Sequence, residues 1–320
     1  MAKRRFGLVS MALLICLVLP FYAQAISTAE AKDPLSSQAK CQLTIRYSYD
    51  GTGFPGQTVS LYQIADISAD PYYKLTLTAP FAATGLELNG IQSNAEWDVI
   101  RSTVQAYIPG NAIDPIATAV TDAAGNADFE DLRPGLYFAS AVQIASADAT
   151  CVFDPALISL PGLSEDGHWL YRLEVAAKPQ ILPPIEPDEK TEFKVLKLWK
   201  GDNTQASRPA NVTVEIFRDG KSVETVSLSP ENNWCYSWSA ADDGAVWTVI
   251  ERNVPAGYTM TVSQKETTFV ITNTRPTPPE PPKTGDTSNV LLYTVILYVS
   301  GGGLILLGFA GKRKDHENTK

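Results

Sequence analysis

The sequence predicts an all-β protein built as two tandem β-sandwich domains, with an export signal before them and a membrane-length apolar segment after them. Three observations carry this. Short apolar–polar alternations recur at intervals set by Gly/Asp/Asn turns, with almost no helical period. Two proline-rich stretches divide the chain, and such stretches favour stiff polyproline II spacers. Both ends depart in composition from everything between them.

At the N-terminus, Lys3, Arg4 and Arg5 precede an apolar run from Phe6 to Pro20, and Ala23-Gln24-Ala25 supplies small residues for cleavage. That order reads as a secretory signal peptide over 1–25. The apolar run is short for a membrane span. At the other end an uncharged apolar segment covers 290–310, followed by a basic tail, 311–320, containing Lys312-Arg313-Lys314. The segment is long enough to cross a bilayer, and its cations would stay on the cytoplasmic side.

Of 320 residues, the formal net charge is −9. The first 25 residues carry +3 and the stretch after Thr284 carries +1, which leaves −13 on the chain between them. So acidic a surface argues against nucleic acid and anionic lipid as partners. Of the two histidines, His316 lies in the basic tail, so only His168 remains in the exported region, after the loop-like Asp166-Gly167. A multi-histidine metal site is excluded there, and a triad would rest on one residue. No phosphate-binding glycine loop or metal-spaced cysteine pair occurs. These absences argue against an enzyme, a metal and a cofactor. Cys16 lies in the export signal, leaving Cys41, Cys151 and Cys235, an odd count with at least one free thiol.

The spacers fall at 179–190 and 275–282. They bracket a domain of residues 191–274 and leave a larger one at 39–178. In the larger domain, strands are expected near Leu43–Tyr49, Gln57–Ala65, Gly135–Ala139 and Trp169–Val175, with a hairpin turn at Asp122–Asn126. One helix is expected: Ser93 and Glu96 make a capping box, and Trp97, Ile100, Val104 and Tyr107 recur at helical spacing. In the last strand Trp169, Tyr171, Leu173 and Val175 share one face. Arg172, Glu174, Ala176 and Lys178 share the other, which leaves Lys178 accessible.

Rows in the second domain are clearer: Phe193, Val195, Lys197, Trp199; then Val212, Val214, Ile216 before an Asp219-Gly220 turn; then Trp247, Val249, Glu251; and Phe269, Ile271, Asn273. Because side chains alternate across a strand, Lys197, Glu251 and Asn273 point with the apolar core rows. A buried unpaired charge costs several kcal/mol, so something must compensate. One solution is a strand-end salt bridge, Lys197 to Glu251, with Asn273 at the sheet edge. The other is covalent. Burial lowers the lysine pKa and raises that of the glutamate. A neutral amine is a nucleophile, and a protonated Glu251 can polarise the Asn273 carbonyl. The product is an amide that removes the buried charge.

Residues 191–274 resemble the B-type repeat of collagen adhesins and Gram-positive pilins. The resemblance runs through Lys197-Leu198-Trp199, Arg208-Pro209, Asn232-Asn233-Trp234, Trp247-Thr248-Val249-Ile250-Glu251 and Ile271-Thr272-Asn273-Thr274. It implies an immunoglobulin-like sandwich with an isopeptide bond between Lys197 and Asn273, assisted autocatalytically by Glu251. The larger domain resembles the prealbumin-like N-terminal domain of sortase-assembled pilins through Val59-Ser60-Leu61-Tyr62, Leu132-Arg133-Pro134-Gly135-Leu136-Tyr137 and Leu157-Ile158-Ser159-Leu160-Pro161. Where isopeptide-forming relatives carry an acid, it has Ala141, and its first strand has Arg46 but no lysine. No isopeptide is expected there. Cys41 and Cys151 are candidates for a disulfide staple.

Pro281-Pro282-Lys283-Thr284-Gly285 resembles the LPxTG sorting motif, with Pro281 in place of leucine. The resemblance implies cleavage by a sortase between Thr284 and Gly285, then transfer of Thr284 to peptidoglycan or to another pilin subunit. Lys178, after a Trp-x-Tyr strand, resembles the pilin-motif lysine that receives the next subunit, although the usual Tyr-Pro before it is Ala176-Ala177. The spacer from Arg275 to Lys283 extends roughly 28 Å at about 3.1 Å per residue, short against a thick wall, which favours membership of a fibre. The expectation is a secreted, wall-anchored structural subunit of a pilus. The alternative is a monomeric adhesin for a host-surface or matrix protein.

Overall fold

The computed structural model describes residues 33–68, 73–141, 144–145, 150–182, 190–202, 208–241 and 243–275. The expected signal peptide (1–25), the sorting motif (281–285), the apolar segment (290–310) and the basic tail lie outside the described residues. No helix among the described residues is long and apolar enough to cross a membrane. The all-β expectation holds: among the described residues strands dominate and one α-helix of 17 residues interrupts them.

In chain order the first sandwich contains β1 (Cys41–Arg46), a short hairpin of β2 (Ser48–Tyr49) and β3 (Thr52–Gly53), β4 (Thr58–Ser68), β5 (Lys74–Leu77) and α1 (Asn94–Gly110). It continues with β6 (Ala117–Val120), β7 (Asn126–Leu132), β8 (Gly135–Ala141), β9 (Ile144–Ala145), β10 (Thr150–Phe153) and β11 (Ala156–Leu160). It closes with β12 (Gly162–Leu163), β13 (Trp169–Leu170), β14 (Arg172–Ala176) and β15 (Pro179–Leu182). The second sandwich contains β16 (Lys190–Lys200), β17 (Val212–Arg218), β18 (Lys221–Leu228), β19 (Cys235–Ala241), β20 (Trp247–Arg252), β21 (Thr259–Lys265) and β22 (Thr268–Thr274).

In the first sandwich, a sheet in the order β14-β1-β7 faces another in the order β11-β8-β4-β5, with β6 added to β4. Between them lies a core that includes Leu43, Ile45, Val59, Leu61, Tyr137 and Leu160. The opposite face of β4 and β8 presents Tyr62, Ile64, Leu136 and Phe138 to a second apolar layer, which α1 closes with Ile100 and Val104. The central sheet is therefore buried on both faces, which explains why β4 is buried at every position from Leu61 to Ala65 and not at alternate ones.

Local chemistry sets the connections. Ser93 Oγ accepts from the Glu96 amide, while Glu96 Oε2 accepts from the Ser93 amide at 2.8 Å, the reciprocal capping box expected from sequence. In the β6–β7 turn, Asp122 Oδ1 accepts from the Ala124 and Asn126 amides, each at 2.8 Å. Gly125 at φ 82° lies so close to Tyr47 that a Cβ would come 2.2 Å from its carbonyl oxygen, so only glycine fits.

Two segments differ from expectation. The strand expected over Trp169–Val175 is interrupted at Tyr171, because β13 pairs with β12 while β14 runs parallel to β1. Pro179–Leu182, expected to begin a spacer, forms β15 and pairs antiparallel with β10. Proline is tolerated at this first strand position because its missing N–H is not needed there.

The second sandwich packs a sheet in the order β19-β16-β22-β21 against one in the order β18-β17-β20. Its first and last strands, β16 and β22, are parallel neighbours. Asp219 and Gly220, with φ of 50° and 73°, make the expected tight hairpin between β17 and β18. Phe193, Val195, Val214, Ile216, Val249, Phe269 and Ile271 fill the interior, joined by Ala106 of α1. The two sandwiches thus belong to one compact unit reaching Pro276.

Replacing the helix cap is expected to show how much α1 depends on it. Ser93→Ala should cost about 1 kcal/mol, lowering the melting temperature by about 2–4 °C. Calorimetry of the purified chain checks this, and an unchanged melt would mean that the cap contributes nothing.

A buried lysine–glutamate–asparagine constellation

Alternation along β16 turns Phe193, Val195, Lys197 and Trp199 inward, while β20 turns Trp247, Val249 and Glu251 toward the same interior. β22 contributes Phe269, Ile271 and Asn273. The structure brings the three polar members together. Lys197 Nζ lies 3.3 Å from Glu251 Oε2, with both side chains fully buried. Asn273 Nδ2 donates to Glu251 Oε1 at 2.8 Å. Asn273 is itself completely buried, and β22 is an interior strand of its sheet, not the edge allowed for in the salt-bridge alternative. Among the described residues, Asn273 Oδ1 has no hydrogen-bond donor.

The environment works against charge. Burial lowers the Lys197 pKa to about 8, although the Glu251 carboxylate opposes the shift and the nearby Arg208 charge adds to it. Burial also raises the Glu251 pKa, against the lowering effect of Lys197 and the Asn273 hydrogen bond. The lysine head donates to the Leu198 carbonyl at 3.1 Å and sits 4.3 Å from the centroid of the Trp199 ring. Trp199 is flanked edge-on by Trp234 and Tyr258. Arg208, which lies over the same ring, is held by Asp202 at 2.5 and 3.0 Å. The sequence marked Trp199 as an inward residue. It did not reveal the aromatic and Arg208–Asp202 roof, whose members are separated along the chain.

The site thus gathers an amine whose pKa burial lowers, an acid whose pKa burial raises and a primary amide in one pocket. Among the described residues no cluster of His, Cys, Asp and Glu is suited to a metal ion.

The other expected residues lie elsewhere. Lys178 follows β14 with its side chain 73% exposed, and its Nζ is 3.8 Å from Asp154 Oδ2. Arg172, Glu174 and Ala176 are exposed on the same face, as alternation predicts. Cys41 and Cys151 are both buried in the core of the first sandwich as free thiols, so the candidate staple is not formed in this structure. Burial pushes the Cys41 thiol up to about 11 and that of Cys151 also upward. Cys235 is a half-buried free thiol. His168 lies in a loop, its Nδ1 2.5 Å from Asp33 Oδ2. Pro281, Pro282, Lys283, Thr284 and Gly285 lie outside the described residues.

Residues 193–274 match the sequence model of the Cna protein B-type domain. The second sandwich is similar to a B-type domain over almost its whole length. The family resemblance read from its motifs is thereby borne out. Over 101 residues the chain is 33% identical to the collagen adhesin of Staphylococcus aureus, a match covering 29% of this chain and 8% of the adhesin. Solved structures that this chain matches include a single B repeat unit of that collagen-binding protein, at 15% identity, 75% coverage of this chain, 99% of that chain and a TM-score of 0.26. The T6 backbone pilin of Streptococcus pyogenes gives 16% identity, coverage of 75% and 64%, and a TM-score of 0.33. The major pilin SpaA of Corynebacterium diphtheriae gives 16%, 71% and 63%, with a TM-score of 0.27.

Removing the lysine isolates the acid. In Lys197→Met, Glu251 keeps the burial that raises its pKa and loses the cation that lowers it. A group whose folded pKa is raised contributes its full stability below the unfolded value, about 4.3 for glutamate. That contribution is lost as pH climbs through the folded value. Lys197→Met should therefore be most stable near about pH 4 and lose up to about 3–5 kcal/mol by neutrality. Denaturant melts across this range check it, with Lys197→Met/Glu251→Leu expected to be flat. A pH-independent single variant would show that Glu251 is not isolated in the core.

Proposed function

We propose that this chain is a secreted, cell-wall-anchored surface protein, a structural subunit of a sortase-assembled pilus, whose B-type domain is closed by an amide between Lys197 and Asn273. The observation that carries the reading is the fully buried Lys197–Glu251 pair touching Asn273. In the reaction, neutral Lys197 Nζ attacks Asn273 Cγ. The new Nζ–Cγ bond replaces the Cγ–Nδ2 bond. One amine proton passes by way of Glu251 to Nδ2, and ammonia leaves. Glu251 ends as it began, and the core is left with a neutral amide. This happens once per molecule, so the chain is a structural protein and not a turnover enzyme.

The ends supply the assembly. The sorting motif at 281–285, in front of its apolar segment and basic tail, fits a sortase that passes Thr284 to peptidoglycan or to another subunit. Lys178 is accessible, as an acceptor amine must be, whereas Lys197 is sequestered. The alternative of a monomeric adhesin for a host or matrix protein is favoured by a different observation, the 33% identity to a collagen adhesin over 101 residues.

The purified chain should weigh one ammonia less than its sequence, and digestion should release a branched peptide joining Lys197 to Asn273. Glu251→Ala should retain the ammonia. The bond closes a 77-residue loop, for which chain-entropy reasoning from disulfides gives about 4.5 kcal/mol, so the variant should melt well below its parent. An unmodified parent mass would sink the cross-link.

Assembly is tested on cells. Wall-released chain should end at Thr284, and high-mass ladders on denaturing gels should vanish in Lys178→Arg while wall attachment persists. Arginine keeps the charge but is not a usable nucleophile. Ladders that survive the substitution would remove Lys178 from the scheme, and a parent that runs as a single band would favour the monomeric adhesin.

A further inference from the structure

The helix α1 serves two cores at once. Ile100 and Val104 face the first sandwich. A separate stripe of small residues, Thr103, Ala106 and Gly110, faces the second. Ala106 is 1% exposed and is included in the second core. Gly110 backs onto β20, where a Cβ would come 2.9 Å from Ile250 Cδ1. Thr103 is fully buried, and its Oγ1 accepts from the Val262 amide of β21 at 2.8 Å. The hydroxyl also lies 2.7 Å from the Val99 carbonyl and 3.2 Å from that of Val262. Arg252 of β20 donates to the Gly110 carbonyl and is itself held by Glu215.

These contacts fall on particular strands. β20 is the edge of the three-stranded sheet and β21 the edge of the four-stranded one. α1 thus spans the side of the sandwich where both sheets end, gripping one strand of each. The reactive groups are divided between the same two sheets. Lys197 and Asn273 stand on β16 and β22, and Glu251 stands on β20, between the two residues that α1 engages. Asn273 pairs across the ladder with Met260, two residues from Val262. The separation between the acid and the amide is therefore the separation between the sheets at the edge that α1 clamps. A cleft of about 430 Å³ beside this clamp is lined by Tyr107 and Asn111 on one side and by Glu251 and the loop to Tyr258 on the other.

We propose that α1 of the first sandwich is the positioning element for cross-linking in the second, with Thr103 as its positioning residue. The inference rests on the proposed Lys197–Asn273 amide and adds what aligns it. The second sandwich does not set its reactive geometry alone; a helix encoded about 100 residues upstream completes it.

The test uses the full chain, following ammonia loss by mass after a pulse of synthesis. Thr103→Val keeps the shape and removes the hydroxyl. It is expected to slow cross-linking about tenfold, within the range that ångström-scale misplacement of reacting groups costs. Thr103→Ser restores the hydroxyl and should recover the parental rate. Leu228→Val, in the same core but on the strand farthest from α1 in its sheet, serves as the control for lost stability and should cross-link like the parent at an equal fall in melting temperature. If Thr103→Val does not fold, Gly110→Ala presses on Ile250 at the same contact and should give the same slowing. Parental rates in both α1 variants, or equal slowing in Leu228→Val, would overturn the inference while leaving the cross-link standing. A parent that never loses ammonia would overturn the cross-link and this inference with it.

Discussion

Two charges and an amide inside an apolar sandwich are the constraint around which the second domain is organised. Placing Lys197 and Glu251 in a medium that hydrates neither is costly, and a simple ion pair repays that cost only in some measure. The structure offsets it by layering weaker interactions on the pair. Asn273 binds the carboxylate, the Leu198 carbonyl accepts from the amine, and Trp199 presents its ring to the cation. Each also lowers the freedom of the three side chains. The features that make the polar core tolerable are the same ones that hold amine, acid and amide at contact distance.

That geometry depends on more than the domain that contains it. A sandwich whose two sheets both end along one side leaves unpaired strand edges there, which invite pairing with other chains. Here a helix from the preceding sandwich covers them. Thr103 does so by presenting a hydroxyl to the Val262 amide, where another strand would present a carbonyl. The small side chains of Ala106 and Gly110 let the helix backbone come close. One element thereby finishes the outer layer of the first sandwich, shields the edges of the second and joins the two.

Much of this was legible from residue order. Alternation alone turned Lys197, Glu251 and Asn273 inward, and polar residues in otherwise apolar rows must find partners there. The capping box at Ser93 and Glu96 announced α1, and its Ile100–Val104 stripe announced one buried face. The second face was hidden because close packing against a strand selects for small size, and Thr103, Ala106 and Gly110 carry no apolar signal. β15 was hidden by its proline, which reads as a spacer unless its partner β10 is known. The interruption at Tyr171 could not be read either, because β13 and β14 continue one alternation while pairing with different neighbours.

The parallel pairing of first and last strands has a mechanical meaning. In the second sandwich the chain enters along β16 and leaves along β22, side by side and pointing the same way, with Lys194 opposite Thr268 and Lys200 opposite Thr274. Tension on the two ends therefore slides one strand along the other. Such a load is shared by the whole ladder of hydrogen bonds at once, whereas an antiparallel pair pulled from its open end would lose its bonds singly, in sequence, like a zip. The domain is consequently arranged to resist stretching along its length.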